Sequence, residues 1–352
     1  MSNKLKVIYF FDWSGRVDAG VVKKVRDQLS TWKVLGVEVE LIFLTNQRGA
    51  EIEFNVPTEI FHFSSPWQRL KARKRAILFA ETKGEDWIMY RRYALMTPIE
   101  VTSMKRIRTV IELNTNNEAF YRQRNLIQFI WFKIQNRWIG NFAAGACAVT
   151  EEIRNLNLGN FNQISVFTNA ISLELFTEKN GPNQSNKLIF LAGDDFSWNG
   201  NQILGLMADS LTDYEIDVFG LPKRRTIKPN LHFYDYLPSE ELAERLQGYL
   251  AGISTLQLEN IGLTEAAPLK TRHYLSNGLP VIGRFKDSGL SAHFPFYFKI
   301  ILEEKDIKIQ NRSELIRFLN NCKMSRVQKE DLDSIEINKV ENQRINYLKS
   351  VL

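Results

Sequence analysis

Two successive runs of alternating strand and helix signals, separated by one polar stretch, constrain this chain more than any other feature. Lys6 to Phe11 (KVIYFF) is a continuous apolar run of the length of a buried parallel strand. The glycine-bearing loop DWSGRVDAG leads into VVKKVRDQLSTWKVLG, where Val21, Val22, Val25, Leu29, Trp32 and Leu35 fall on one helical stripe. Gly36 closes that helix and VEVELIFL begins the next strand. Parallel strands need a crossover of this kind, and its repetition builds a doubly wound sheet. Gly15 and Gly20 are either turn chemistry or a place where backbone approaches a ligand at a helix N-terminus.

Further strand candidates are Glu59–Phe63, Trp87–Tyr90 and Thr109–Leu113, with helical stretches at Trp67–Thr82 and Pro98–Arg106 between them. Residues 118–138 (EAFYRQRNLIQFIWFKIQNRW) predict one long helix. It is either a core-packing helix with a solvated basic face or a helix lying on a membrane surface, where aromatics and cations together suit the headgroup region. AAGACAV is a small-residue strand, Thr150 is placed to cap EEIRNL, and SVFTNAI is another strand. TEKNGPNQSN, residues 177–186, has the composition of an interdomain linker. The alternation then restarts with the strand LIFLAG, the loop DDFSWNG, the helix NQILGLMADSL and the strands YEIDVFG and LHFYDY. A helix over Pro238–Leu250, capped by Ser239, leads to the strand AGISTLQL. Ile337, Val340, Ile345, Leu348 and Leu352 keep helical spacing in the tail. Two Rossmann-like halves imply a cleft at the C-terminal ends of both sheets.

Glu265 to Gly283 (EAAPLKTRHYLSNGLPVIG) carries the sharpest local signal. Asn277-Gly278 is a helix stop and Leu279–Ile282 enters a buried strand. Glu265 and Pro268-Leu269-Lys270 therefore sit where a loop becomes a helix N-terminus, which offers free N–H groups and a positive dipole end to an anion.

The net charge of +6 is uneven. Residues 1–180 hold 25 Lys and Arg against 18 Asp and Glu, a surplus of +7, and the remainder holds 21 against 22. An anionic membrane surface or a phosphorylated substrate fits the basic half, to which RLKARKR at 69–75 belongs. No zinc spacing, homeodomain-like helix or RNP-type motif points to nucleic acid. Cys147 and Cys322 allow no disulfide framework, and His62, His232, His273 and His293 show no metal-ligand spacing. No apolar run reaches the ~18 residues of a membrane span, and the N-terminus lacks signal-peptide features. A cytoplasmic location, peripheral on the inner face of the membrane, is expected.

Five pieces in order, AGVVKKVRDQLSTWKVLGVEVELI, VIELNTNNEAF, AVTEEIRNL with FTNAISLELF, DDFSWNG and GISTLQLENIGLTEAAPLKTRHYLSNGLPVI, carry a resemblance over nearly the whole chain. The chain resembles retaining glycosyltransferases of the GT-B fold, family 4, in the capsule and teichoic-acid-type branch. That resemblance implies two Rossmann-like α/β domains facing a central cleft: residues 1–176 on the acceptor side, the linker 177–186, and a donor domain 187–336. Residues 337–352 would pack back on the first domain.

Family members carry a glutamate, seven residues, then a second glutamate, for the donor sugar's hydroxyls and the ribose respectively. Glu265 matches the first, while His273 stands at the second and has at most one hydrogen bond per ring nitrogen to offer. Asn199 replaces the basic residue that helps hold the diphosphate, and Asp194 replaces an arginine. Lys270 remains as the phosphate cation, and Glu265 with Lys270 forms the expected catalytic pair. Gly20, Gly220, Tyr236, Leu237, Ala266, Ala267, Pro268 and Leu269 join the donor side. Gly15, Arg16, Glu112 and Asn114 are placed on the acceptor side, with loop capping the plainer role for Glu112 and Asn114. The expected reaction moves a hexose, without metal or other cofactor, from a nucleotide-diphosphate-sugar to a glycan or lipid-linked acceptor. The alternative is a weak or silent GT-B subunit that binds glycan or a partner glycosyltransferase.

Overall fold

The computed structural model describes residues 4–352 except 17–18, 48–52, 175, 177–180, 193–199, 222–227 and 304–307, with backbone alone at 201, 239 and 240. The chain splits into two compact units, Met1–Thr168 with Ile337–Leu352, and Asn169–Glu336. Residues 181–186, the described part of the polar stretch expected as linker, lie in the second unit. There Asn183 is buried and donates from Nδ2 to Tyr249 O at 2.9 Å.

The first unit runs β1 (Lys6–Trp13), α1 (Gly20–Val34), β2 (Glu38–Thr45), β3 (Thr58–His62), α2 (Pro66–Glu81), β4 (Trp87–Arg92), α3 (Pro98–Ser103), β5 (Arg108–Leu113), α4 (Asn117–Arg124), α5 (Leu126–Phe142), β6 (Gly145–Ala148), α6 (Glu151–Asn155) and β7 (Ile164–Val166). Its strands form a seven-stranded parallel sheet in the order β3-β2-β1-β4-β5-β6-β7. β1 is buried from Val7 to Phe11, as a strand covered on both faces must be. Right-handed crossovers put α1 on one face, because β1 to β2 runs one way across the sheet, and α2, α3 and α5 on the other.

The helix predicted over 118–138 is two helices. Asn125 is extended (φ −160°, ψ 157°) and its side chain accepts from Gln128 N, so it ends α4 and caps α5. A polar residue able to satisfy the next helix's first N–H groups outweighs the continuous periodicity around it.

The second unit contains β8 (Lys187–Leu191), α7 (Asn201–Ser210), β9 (Glu215–Phe219), β10 (Leu231–Tyr234), α8 (Ser239–Leu246), β11 (Ala251–Ile253), β12 (Glu265–Ala266), α9 (Leu269–Ser276), β13 (Val281–Gly283), β14 (Lys286–Asp287), β15 (Tyr297–Lys299), the β16 (Leu302–Glu303) and β17 (Lys308–Ile309) pair, and α10 (Arg312–Met324). Six strands form a parallel sheet, β10-β9-β8-β11-β13-β15. Side-chain alternation along β8 divides the core. Leu188 and Phe190 join Leu204, Met207, Leu315 and Leu319, whereas Ile189 joins Leu246, Tyr274 and Leu275. α9 ends as its sequence predicts, with Asn277 at the C-cap and Gly278 at φ +73°.

The final helix, α11 (Ile337–Ser350), returns to the first unit and lies against α1. Ile337, Val340, Ile345 and Leu348 are buried, while Leu352 is exposed. The helix is also held by charge. Glu341 accepts from Trp32 Nε1 at 2.7 Å, Gln28 Nε2 at 3.0 Å and Arg344 Nε at 2.9 Å, and Arg344 Nη1 donates to Tyr90 Oη at 2.8 Å.

Candidate functional site

The second unit places Gly220, Tyr236 and the 265–270 stretch toward the C-terminal edge of its sheet, where a parallel α/β sheet offers its loops to a ligand. Glu265 opens β12, which runs parallel to β14 so that Glu265 stands opposite Lys286. The Glu265 carboxylate is buried and pairs with Lys286 Nζ at 2.8 Å, while the lysine side chain is mostly exposed. Pro268 is the N-cap of α9, and no side chain caps that helix. Its first turn holds Leu269 and Lys270.

Lys270 Nζ lies 4.1 Å from the centroid of the buried Phe190 ring. Burial among apolar atoms lowers the Lys270 pKa to about 7. At neutral pH the amine thus holds a proton about half of the time, and an anion beside it would restore full charge. His273, three residues on and so on the same helix face, is half-buried. Its carbonyl accepts from Ser276 Oγ and Asn277 Nδ2.

Gly220 follows β9 with φ +87°, and a Cβ there would stand 1.9 Å from Ala192 O, rigid backbone that leaves room for glycine alone. The Tyr236 ring lies 3.8 Å from that same point, and Leu237 packs into the core beside Leu246. β8 and the residue after it join the two groups: Phe190 sits beneath Lys270 and Ala192 beside Gly220. Asn199, with Asp194 and Trp198, lies outside the described residues.

A buried network that the sequence did not reveal fixes this edge. Arg272 donates Nη1 and Nη2 to the two Asp287 carboxylate oxygens at 2.8 and 2.7 Å, a bidentate fork, and Nε to Asn169 O at 2.6 Å. Asn169 Nδ2 in turn donates to Ala267 O at 2.6 Å. Asn169, Arg272 and Asp287 are all buried, so Ala266, Ala267 and Pro268 run along a rigid support. The opposite side of α9 is tied by Leu191 N donating to Tyr274 Oη and by the Ser254–Thr271 hydroxyl pair, 2.7 Å apart. The available signal was an arginine set among the buried residues of a short helix, where only a matched carboxylate makes it affordable.

In the first unit, Gly15 lies against the Trp13 ring, and Arg16 O accepts from Trp13 Nε1 at 2.9 Å. Gly20 is the first residue of α1 rather than part of the loop, and Ala19 at the N-cap has no side chain to cap it. Glu112, at the end of β5, is fully buried. Burial alone would raise its pKa, but Lys24 at 2.6 Å, Arg344 at 3.9 Å and Arg92 at 3.7 Å outweigh this and hold it at about 2. Asn114 donates Nδ2 to Glu112 Oε2 and accepts from Lys24. These two residues thus join the interior network that binds β5 to α1 and α11.

Among the described residues, no group of three His, Cys, Asp or Glu side chains is arranged to hold a metal ion. No family profile matches the chain, and no curated protein matches it. Solved structures do. The Anabaena Alr3699/HepE structure in complex with UDP and glucose superposes with a TM-score of 0.66 at 13% identity, covering 98% of this chain and 99% of that one. The fold is GT-B. The apo lipopolysaccharide outer core galactosyltransferase WaaB gives 0.59 at 11% identity over 97% and 99% of the two chains. A glycosyltransferase from Rickettsia africae gives 0.60 at 13% over 99% of each. At these identities the likeness is one of GT-B architecture.

Proposed function

We propose that the protein is a retaining hexosyltransferase that takes its sugar from a nucleotide-diphosphate-sugar donor and delivers it to a glycan or lipid-linked acceptor at the cytoplasmic face of a membrane. The single observation that carries this reading is that Glu265, ion-paired to Lys286, and Lys270, its pKa lowered by burial over Phe190, lie on one strand-to-helix edge. A lysine with a lowered pKa at the strand ends of an α/β sheet is a candidate functional position. Structural relatives solved with UDP and with UDP-glucose support a nucleotide-sugar as the donor.

In this reading the bond between the sugar's anomeric carbon and the diphosphate oxygen breaks with its electron pair leaving on the diphosphate. The anomeric centre becomes oxocarbenium-like, as in glycoside cleavage. The acceptor hydroxyl oxygen bonds it on the face the diphosphate leaves, and the hydroxyl proton passes to the departing diphosphate oxygen. Lys270 and the uncapped start of α9 meet the growing negative charge, and each well-aimed donor lowers the barrier by about 3–4 kcal/mol. Glu265 accepts the sugar's hydroxyls. Gly220 and Tyr236 border the nucleotide, with no side chain at 220 to obstruct it. His273 contacts the ribose with one hydrogen bond.

His273 and Asn199, which remove a carboxylate and a cation from the family pattern, favour a second reading, a GT-B subunit that binds glycan or a partner transferase without turnover. A thermal-unfolding screen of nucleotide-sugars separates the two. A donor at a hundred times its Kd stabilises the protein by about 2.7 kcal/mol. Glu265→Ala should abolish that protection and the transfer of labelled sugar. Absence of protection by every UDP-, GDP- and ADP-sugar at millimolar concentration would leave the subunit reading in its place.

A further inference from the structure

α5 buries one face and leaves an apolar stripe on another. Phe132, Gln135 and Ile139 point into the unit, whereas Leu126 (70% exposed), Ile127 (80%), Ile130 (50%), Ile134 (42%) and Trp138 (39%) recur at helical spacing along the outside. A row of five large exposed side chains on one 17-residue helix is a contiguous patch, not the scatter normal on a surface. The helix contains no acidic residue, and its exposed polar positions include Lys133 and Arg137. Arg122 and Arg124 close the preceding α4, and Glu118, the nearest acid, pairs with both Arg122 and Lys133.

The neighbouring helices continue the same character. α3 touches both α2 and α5 and exposes Ile99. α2 exposes Trp67 (77%) along with Lys71, Lys74 and Arg75, and its sole acid, Glu81, is its last residue. All three helices cover one face of the sheet. No described helix is long and apolar enough to cross a bilayer.

We infer that this helix layer is a docking surface for an anionic bilayer, with α5 lying in the headgroup plane and its apolar stripe turned into the lipid. Charge decides between occupants. A protein partner would need a matching acidic rim around an apolar groove, whereas anionic lipid presents both properties everywhere along an α5 of about 25 Å. Trp138 and Trp67 fit the same boundary, where amphipathic rings concentrate. The surface belongs to the first unit and Glu265 and Lys270 to the second, so it survives or fails independently of the transferase reading.

Flotation of the full chain with phosphatidylcholine vesicles, with and without phosphatidylglycerol, tests it. Binding is expected with phosphatidylglycerol, little without it, and less as salt screens the lipid charge. Ile127→Ser/Ile130→Ser/Ile134→Ser should lower the partition coefficient at least about tenfold, since each substitution removes apolar area from the lipid contact. These side chains are exposed, so circular dichroism and thermal protection by nucleotide-sugars should stay as in the parent protein. Arg124→Gln/Arg137→Gln should keep residual binding but lose preference for phosphatidylglycerol. Equal affinity for both vesicles, or a triple variant that floats like the parent, would overturn the inference. A sedimentation dimer that the triple variant converts to monomer would overturn it too, by assigning the stripe to a second copy of the chain.

Discussion

Raising the pH through about 7 strips the proton from Lys270, and with it the cation assigned to the donor diphosphate. In the free protein burial lowers this amine to about 7. A diphosphate placed beside it favours the charged form and moves its pKa back toward the ordinary lysine range. Binding then requires one proton that the free site holds less and less as pH rises. The affinity should fall by up to tenfold per pH unit above 7, about fifteenfold by a pH of about 8.5, or about 1.6 kcal/mol. A nucleotide-sugar is the right probe, because the terminal phosphate of a free nucleotide titrates near ~6 and would mask the effect. Calorimetry of UDP-glucose binding in buffers of different ionisation enthalpy should report uptake approaching one proton per site at the upper end of this range. Lys270→Arg keeps its charge throughout and should bind with a flat pH profile, whereas Lys270→Met should bind weakly at every pH. A flat profile in the parent protein, or an unchanged slope in Lys270→Arg, would refute the assignment. The lowered value also sets a stability trend. Because the unfolded chain holds this proton more tightly, the free protein should gain stability as pH rises between about 7 and 10.5.

Other consequences follow from the buried networks. Arg272→Met leaves Asp287 charged and buried without its partner, so urea unfolding should show a loss of about 3–5 kcal/mol, with donor protection lost in the folded fraction. Pairing it with Asp287→Leu should recover much of the stability but not the position of Ala267, and hence not donor binding. Glu341→Ala should cost about the same, read by hydrogen exchange in α11, since Trp32, Gln28 and Arg344 lose a shared acceptor. Glu112 has its folded pKa depressed to about 2, so its contribution is complete above about 4.5 and fades as pH falls toward 2. That contribution is about 3 kcal/mol, and Glu112→Gln should flatten the acid limb of the stability curve by this amount.

The strand and helix alternation was legible because parallel strands covered on both faces must be continuous apolar runs, as in KVIYFF and LIFL. The stop at Gly278 was legible because only glycine takes that conformation without strain. The break at Asn125 was not, since a capping side chain reads as an ordinary polar position until its neighbours' N–H groups are seen to point at it. The same limit hid the site's support. Arg272 pairs with Asp287, fifteen residues away in chain and across a strand pair, and Asn169 joins from a different segment altogether. Glu112 shows the converse. Its place at the end of a strand suggested a ligand contact, but Lys24 and Arg344, from two helices, enclose it.

Neighbouring cations on α9 separate what the helix needs for itself from what it needs for a ligand. Arg272 is buried and answered by the Asp287 carboxylate and by Asn169 O. Lys270 is desolvated, and its pKa is pulled down by burial. Below pH 7 that burial costs the fold about 5 kcal/mol compared with a lysine in water. Methionine or leucine at 270 would lie over Phe190 at no such cost. In the proposed donor site an arriving diphosphate would favour the charged amine and offset that desolvation. In the proposed site His273 would weaken one ribose contact and leave Lys270 in place. If the proposed donor site is right, Lys270 rather than position 273 is where substitution should change donor affinity most.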